Sequence, residues 1–198
     1  FTFPGGERHV RLESPVFDDY TVTAHLKNSD DILELAMLKD AIDRSSNITK
    51  HQSTLFLPYL PYSRQDRVCN KNEPLSVKVM ANLINSMGFD RVVLLDNHSE
   101  VGVALIDNCV NITKGVIFER YKSVFEIYDY EALISPDGGA LKSIFEVSKV
   151  LGLPVISAEK KRDTKTGQIT HTAVYSEEVP KKVLIVDDTK SVRMFEKL

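Results

Sequence analysis

Cysteine is scarce in this chain. Cys69 and Cys109 are the only two; they have no CxxC spacing and no cysteine or histidine cluster beside them, so neither a disulfide framework nor a zinc site is indicated. A reducing, cytoplasmic compartment is the expectation. An excess of basic charge is also lacking: 25 Lys and Arg stand against 28 Asp and Glu, for a net charge of -3. There is thus no general positive field for gripping nucleic acid, and any phosphate chemistry must come from local sites. No apolar run approaches the roughly 18 residues needed to span a bilayer, and no signal peptide opens the chain, so no membrane partner is expected. What is present is the make-up of an ordinary globular protein, 42% hydrophobic and 27% charged over 198 residues. On the prior of roughly 100–200 residues per domain, that length allows one large or two small domains. Phe1 is not a start residue and Leu198 closes a helical stretch without a cap, so both ends are expected to be incomplete.

The middle and C-terminal parts alternate short β-rich runs with amphipathic stretches, the pattern of mainly parallel sheets flanked by helices in an α/β fold. Val10–Leu12, Tyr20–Ala24 and Thr54–Leu57 read as strands, and Ile32–Arg44 as a helix with Ile32, Leu35, Ala36, Leu38 and Ile42 on its apolar side. Pro74 suits a first helical turn, and Leu75, Val79, Leu83 and Met87 then recur every fourth position until Gly88 stops the helix. Arg91–Leu95, Leu133–Ile134, Pro154–Ser157 and Val183–Val186 read as further strands, and Leu141–Leu151 as a helix closed by Gly152. Glu159–Thr172, rich in Lys, Arg, Thr and Gly, reads as a mobile surface loop. A fresh set of βα units begins near Ile112–Val116, which predicts two similar α/β domains, residues 1–112 and 113–198.

Ligands of open parallel sheets bind beyond the carboxyl ends of the strands. Asp96, Asn97, His98 and Ser99 follow one such strand, and Ser135, Pro136, Asp137, Gly138 and Gly139 follow the next. Lys160, Lys161 and Arg162 follow Pro154–Ser157, and Asp187 and Asp188 follow the last strand. Asp137 and its glycines at a helix start can offer backbone N–H groups to an anion and a carboxylate to a hard cation. His98 could bind a metal or a phosphate. Magnesium takes one or two protein ligands and the rest from substrate phosphates, so the sparse pair His98 and Asp137 suffices if a nucleotide supplies them. The Lys160–Arg162 cations suit a lid over a transferring phosphoryl group, and paired aspartates can accept hydrogen bonds from sugar hydroxyls. Taken singly, each has a plain reading: a helix cap for the aspartates, a solvated face for the cations. His9, His25, His51 and His171 are read as structural or solvated.

Residues 56–67, Phe-Leu-Pro-Tyr-Leu-Pro-Tyr-Ser-Arg-Gln-Asp-Arg, then Glu73-Pro74-Leu75-Ser76, Ser135-Pro136-Asp137-Gly138-Gly139 and Val186-Asp187-Asp188, make an ordered set that resembles the ribose-phosphate pyrophosphokinase family. The resemblance runs over nearly the whole chain and implies two phosphoribosyltransferase-like α/β domains. It implies a Mg2+-dependent transfer of the β,γ-diphosphoryl group of ATP to the anomeric hydroxyl of ribose 5-phosphate. By motif position, Arg64, Gln65 and Asp66 would lie along ATP, His98 beside ATP and magnesium, and Asp137 at a metal near the ribose. Lys160 and Arg162 match the cationic pair of the family's catalytic flexible loop, and Asp187 and Asp188 the acids that open its ribose-phosphate loop. Phe3 and Glu7 resemble an adenine-contacting hairpin that reaches a neighbouring subunit's ATP, which implies a homo-oligomer.

The chain departs from the family pattern in three places. Asp96-Asn97-His98-Ser99 stands where the family usually has Asp-Leu-His-Ala, Gly5 where its hairpin offers a polar side chain, and Thr189 to Met194 where a Thr/Gly-rich phosphate loop should follow. Residues are therefore expected to be missing after Asp188. The departures keep two other readings open: the same transfer to ADP-ribose, giving ADP-ribose pyrophosphate for NAD salvage, and a non-catalytic regulatory paralogue.

Overall fold

The computed structural model describes residues 1–16, 18–45, 52–136, 138, 140–162, 169–175 and 180–187. The chain divides into two units, Phe1–Ile112 and Thr113–Leu198, each with its own sheet and core.

The first unit runs β1 (Tyr20–Thr23), α1 (Ser29–Ser45), β2 (Ser53–Leu57), α2 (Ser76–Ser86), β3 (Arg91–Leu95), α3 (Glu100–Leu105) and β4 (Cys109–Ile112). Its strands pair in sequence order, all parallel, so a helical crossover joins each to the next. Period-two burial drives the inner strands: Ser53, Leu55 and Leu57 of β2 and Val92 and Leu94 of β3 are buried. Against them lie Leu35 of α1 and Val77, Met80, Ala81 and Ile84 of α2. Each fully buried leucine stabilises the unit by about 1.5–3 kcal/mol.

Caps fix where α1 begins. Asn28 Oδ1 accepts the Asp31 N–H at 3.0 Å while Asp31 Oδ2 accepts the Lys27 N–H at 2.7 Å. Farther along, Lys39 is buried, with its Nζ 2.7 Å from both Asp43 carboxylate oxygens and 5.3 Å from the Phe89 ring centroid. The entries to β2 and β3 are locked together by Asp90, whose Oδ2 accepts the Ser53 N–H at 2.7 Å and the Ser53 hydroxyl at 2.6 Å. Those two hydrogen bonds, the hydroxyl's foremost, hold the Asp90 carboxyl below the usual carboxylate range.

The second unit runs α4 (Lys114–Arg120), α5 (Lys122–Glu126), β5 (Ala132–Ser135), α6 (Leu141–Leu151), β6 (Val155–Arg162), β7 (Ile169–Tyr175) and β8 (Val183–Ile185). Its sheet order is β7-β6-β5-β8, parallel except for the antiparallel β6–β7 pair. Leu133, Ile144, Val147 and Val186 form the buried core. Gly152 ends α6 at φ 71, a left-handed conformation, with its N–H donated to Ser148 O at 2.8 Å. No helix among the described residues is long and apolar enough to cross a membrane.

Two expectations change. Val10–Leu12 is not a strand; the N-terminal segment has only the isolated Thr2–Arg8 bridge, because Val10–Leu12 finds no ladder partner. The expected loop Glu159–Thr172 is largely sheet: Glu159–Arg162 belongs to β6 and Ile169–Thr172 to β7, each supplying the other's backbone partners, with residues 163–168 outside the described set. Along α2, the stripe Leu75, Val79, Leu83, Met87 meets the core only at its ends, where the flanking Leu75 and Met87 are partly buried against it. Val79 and Leu83 stay 54% and 45% exposed and, with Ile32, Leu33 and Ala36 of α1, line an open apolar groove of about 490 Å³.

Candidate active site

In the first unit the site residues lie beyond β2 and β3. These strands are parallel neighbours with Leu57 opposite Leu94, so the loops that follow them leave from one edge of the sheet. The loop after β2 is pinned from within by buried Leu60, Pro61 and Ser63. Tyr62 at φ 63 reverses the chain, and its carbonyl accepts the Gln65 N–H at 2.8 Å. A left-handed tyrosine is costly, by about 1–2 kcal/mol, so the turn is held by its surroundings. It leaves Arg64 and Gln65 exposed and Asp66 half-buried, with Arg67 Nε 3.4 Å from Asp66 Oδ1. The Gln65 carbonyl accepts the Val77 N–H at 3.4 Å, joining this loop to the first turn of α2. Just before that helix, Asn70 donates its side-chain and backbone N–H groups to Glu73 at 2.7 and 3.0 Å. These bonds, the side-chain one first, keep the Glu73 carboxyl below its ordinary range.

After β3, Asp96 turns the backbone at φ 45 with its N–H on Ile112 O at 2.8 Å. The Asn97 N–H is donated to Asn111 Oδ1 of β4 at 3.0 Å, and Asn97 Nδ2 to Ser99 O at 2.6 Å. His98 sits between Asn97 and Ser99 and is exposed.

A short hairpin occupies the N-terminus. The Phe3 N–H bonds to Glu7 O at 2.8 Å and the His9 N–H to Phe1 O at 2.9 Å, and the tip turns at Gly6, φ 94. Phe3 and Glu7 are both exposed, with Phe1, Phe3 and His9 in edge or tilted ring contact. Arg8 ties the hairpin to α1 through Glu34 at 2.9 Å.

In the second unit β5 and β8 are parallel neighbours, so Pro136 and Gly138 follow Ser135 at the end of one strand and Val186 and Asp187 follow the other. Asp187 is half-buried; Asp137 and Asp188 lie outside the described residues. Lys160 and Arg162 stand on β6 opposite Thr172 and Ile169, with a register irregularity between Lys161 and Arg162. This part of β6 runs beyond Ser157, the last β6 residue paired with β5, and is held by β7.

Among the described residues no group of three or more His, Cys, Asp or Glu could form a metal cage. The exposed His98 imidazole is a single donor, which fits an ion that arrives with its other ligands already on nucleotide phosphates.

Residues 1–88 match the N-terminal domain of ribose phosphate pyrophosphokinase. The chain is 32% identical to the ribose-phosphate pyrophosphokinase of Campylobacter jejuni over 94% of its own length. It belongs to the ribose-phosphate pyrophosphokinase family. It is also 33% identical to the ribose-phosphate pyrophosphokinase of Cereibacter sphaeroides over 81% of its length. In solved structures it resembles phosphoribosylpyrophosphate synthetase from Mycobacterium smegmatis, with a TM-score of 0.73 and 26% identity over 95% of this chain. The phosphoribosyltransferase-like fold is therefore established. The chain spans 60% of the C. jejuni protein, 47% of the C. sphaeroides protein and 61% of the M. smegmatis chain.

Within the family fold, the structure brings Arg64, Gln65 and Asp66 to the same sheet edge as His98. Phe3 and Glu7 are together on the hairpin. It adds residues that periodicity had not singled out: Tyr62, whose backbone makes the turn before Arg64, and Asn111, which receives the Asn97 N–H. An asparagine inside an otherwise apolar four-residue strand, Cys109–Ile112, was the available signal for Asn111.

Proposed function

We propose that the protein is a diphosphotransferase that moves the β,γ-diphosphoryl group of MgATP to the anomeric hydroxyl of ribose 5-phosphate, giving phosphoribosyl pyrophosphate and AMP. The observation that carries this reading is the convergence of the Arg64–Asp66 loop and His98 at one sheet edge in a chain of this family. In the reaction the anomeric oxygen attacks the β-phosphorus, the bond from that phosphorus to the α–β bridging oxygen breaks, AMP leaves, and the hydroxyl proton is released. Magnesium would supply charge neutralisation on the phosphates; His98 is the residue that would hold it beside ATP, and Asp137 the one that would hold a metal ion near the ribose. Arg64, Gln65 and Asp66 orient the triphosphate, Phe3 and Glu7 of an adjoining copy contact the adenine, and Asp187 and Asp188 receive the ribose. Lys160 and Arg162 stabilise charge that is larger in the transition state than in bound ATP.

The test is a product assay with ATP, Mg2+ and either ribose 5-phosphate or ADP-ribose. AMP released in step with phosphoribosyl pyrophosphate supports the proposal, and AMP released only with ADP-ribose replaces the acceptor. ADP as the stoichiometric product, or no turnover with either acceptor, overturns it.

A further inference from the structure

We infer that Asn97 is a positioning residue, an amide clamp that fixes the backbone on both sides of His98. This rests on the reading of His98 as a nucleotide contact. Between the end of β3 and the start of α3 the chain needs one left-handed residue, Asp96 at φ 45, and one extended residue, Ser99 at φ -143 and ψ 153. Such a bend has no ladder of its own. Beside the Asp96 N–H on Ile112 O, two bonds from Asn97 hold it: its N–H reaches Asn111 Oδ1 of β4 at 3.0 Å, and its Nδ2 reaches Ser99 O at 2.6 Å. One side chain therefore closes a ring whose middle residue is His98.

Two features show that the donor half of the amide is what matters. Asn97 Oδ1 and Ser99 Oγ are both buried and make no hydrogen bond among the described residues, so this position carries an unsatisfied acceptor that an apolar side chain would avoid. The amide is also seated against α3. A Cβ placed on Gly102 would lie 2.7 Å from Asn97 Nδ2 and 3.0 Å from Leu60 Cδ2, so only glycine leaves room for the hydrogen-bonded amide beside the Leu60 side chain. Leu60 belongs to the loop that carries Arg64 to Asp66. Through Gly102 the clamp thus abuts the other half of the proposed ATP site, and its loss should appear in nucleotide affinity and leave the acceptor's affinity alone.

The test uses Asn97→Asp, Asn97→Ala, Gly102→Ala, Asn111→Ala and His98→Ala in the intact protein. Asn97→Asp keeps the side chain's size and removes the donor to Ser99 O. It should raise KM for MgATP by about tenfold or more while KM for ribose 5-phosphate stays near wild type. Combined with His98→Ala it should add less than about twofold to the effect of His98→Ala alone, because a clamp that acts through His98 has nothing left to position. Gly102→Ala should reproduce the Asn97→Asp defect by displacing the amide, yet add less than about twofold in the Asn97→Ala background, where only the Leu60 contact remains. Multiplicative effects of Asn97→Asp and His98→Ala, or an unchanged KM for MgATP, overturn the inference.

If the wild-type protein turns over neither acceptor, the functional reading falls by itself, and the clamp is then judged on the free protein. Backbone amide exchange at residues 97–99 should accelerate about tenfold or more in Asn97→Ala and Asn111→Ala, with distant amides unaffected. Exchange at wild-type rates in both variants overturns the clamp.

Discussion

Asp43→Ala should destabilise the first unit by about 2 kcal/mol, whereas Lys39→Met should leave it within about 1 kcal/mol of wild type. Lys39 is 6% exposed, and its ammonium meets both Asp43 oxygens at 2.7 Å one helical turn away. Removing one partner of a buried pair costs about 3–5 kcal/mol because the other charge is left without compensation. Here the Asp43 side chain is 47% exposed, so water reaches the pair and can replace part of the carboxylate. The Phe89 face, 5.3 Å from the ammonium, still contributes about 0.5–1 kcal/mol to holding it. Together these reduce the expected loss to the lower figure. Methionine keeps the unbranched stem in its apolar seat and brings no charge that needs a partner. Urea unfolding followed by circular dichroism reads the difference: at constant m of about 2 kcal/mol/M, Asp43→Ala should lower the midpoint by about 1 M. Lys39→Met losing as much as Asp43→Ala would refute the reasoning, since the ammonium would then be a net stabiliser in its own right.

Acid should weaken the same unit through Asp90. Its folded-state pKa is depressed, so its contribution is complete above the unfolded value near 3.9 and is lost as pH falls through the folded value; Ser53→Ala should shrink that acid-dependent loss in a pH series of melting curves. Leu57→Ala, at a fully buried position, should cost about 2–5 kcal/mol by urea titration; a loss under about 1 kcal/mol would mean that the core collapses around the gap. Lys160→Ala should lower kcat by about a hundredfold or more with little change in KM for ATP, and steady-state kinetics with an unaltered kcat would return this lysine to the solvated surface.

The first three strands were the readable part of this chain, edge strand β1 included: Tyr20–Ala24 is expected and Tyr20–Thr23 is found. The β2 and β3 runs carry dense branched and aromatic residues, and their bounds in the structure, Ser53–Leu57 and Arg91–Leu95, fall within one residue of those expected from sequence. The edge strands β4 and β7 were harder. The four-residue β4 has only Val110 and Ile112 as β-branched residues and a polar one between them, too little to separate it from a linker. On α2 the four-residue spacing marked an apolar face correctly but not the buried one, since Val77, Met80, Ala81 and Ile84 fill the core and leave Val79 and Leu83 outside. Hydrophobic spacing reports chemistry, and only packing decides which side is covered. For the candidate site, residue types after strand ends pointed to His98, because the rule that places ligands there depends on topology alone, whereas Arg64, Gln65 and Asp66 were legible only through the family resemblance of residues 56–67. Asn111 escaped notice because its role is to receive a hydrogen bond from a residue distant in sequence.

The antiparallel β6–β7 pair has a consequence for how the chain reaches its native state. Every other named pair is parallel and keeps one separation along its length, from Val92 with Cys109 to Leu133 with Leu184, whereas the β6–β7 pairs close in to Arg162 with Ile169. The parallel contacts require long loops to close first, which slows their formation. The β6–β7 pairing is more local and can form on the fast timescale of hairpins, about microseconds. In pulse-labelling exchange during refolding, amides of Glu159–Arg162 facing β7 should gain protection before those of β5 facing β8. The strand that carries Lys160 and Arg162 would then be among the first pieces of this sheet to acquire a partner and β8 among the last.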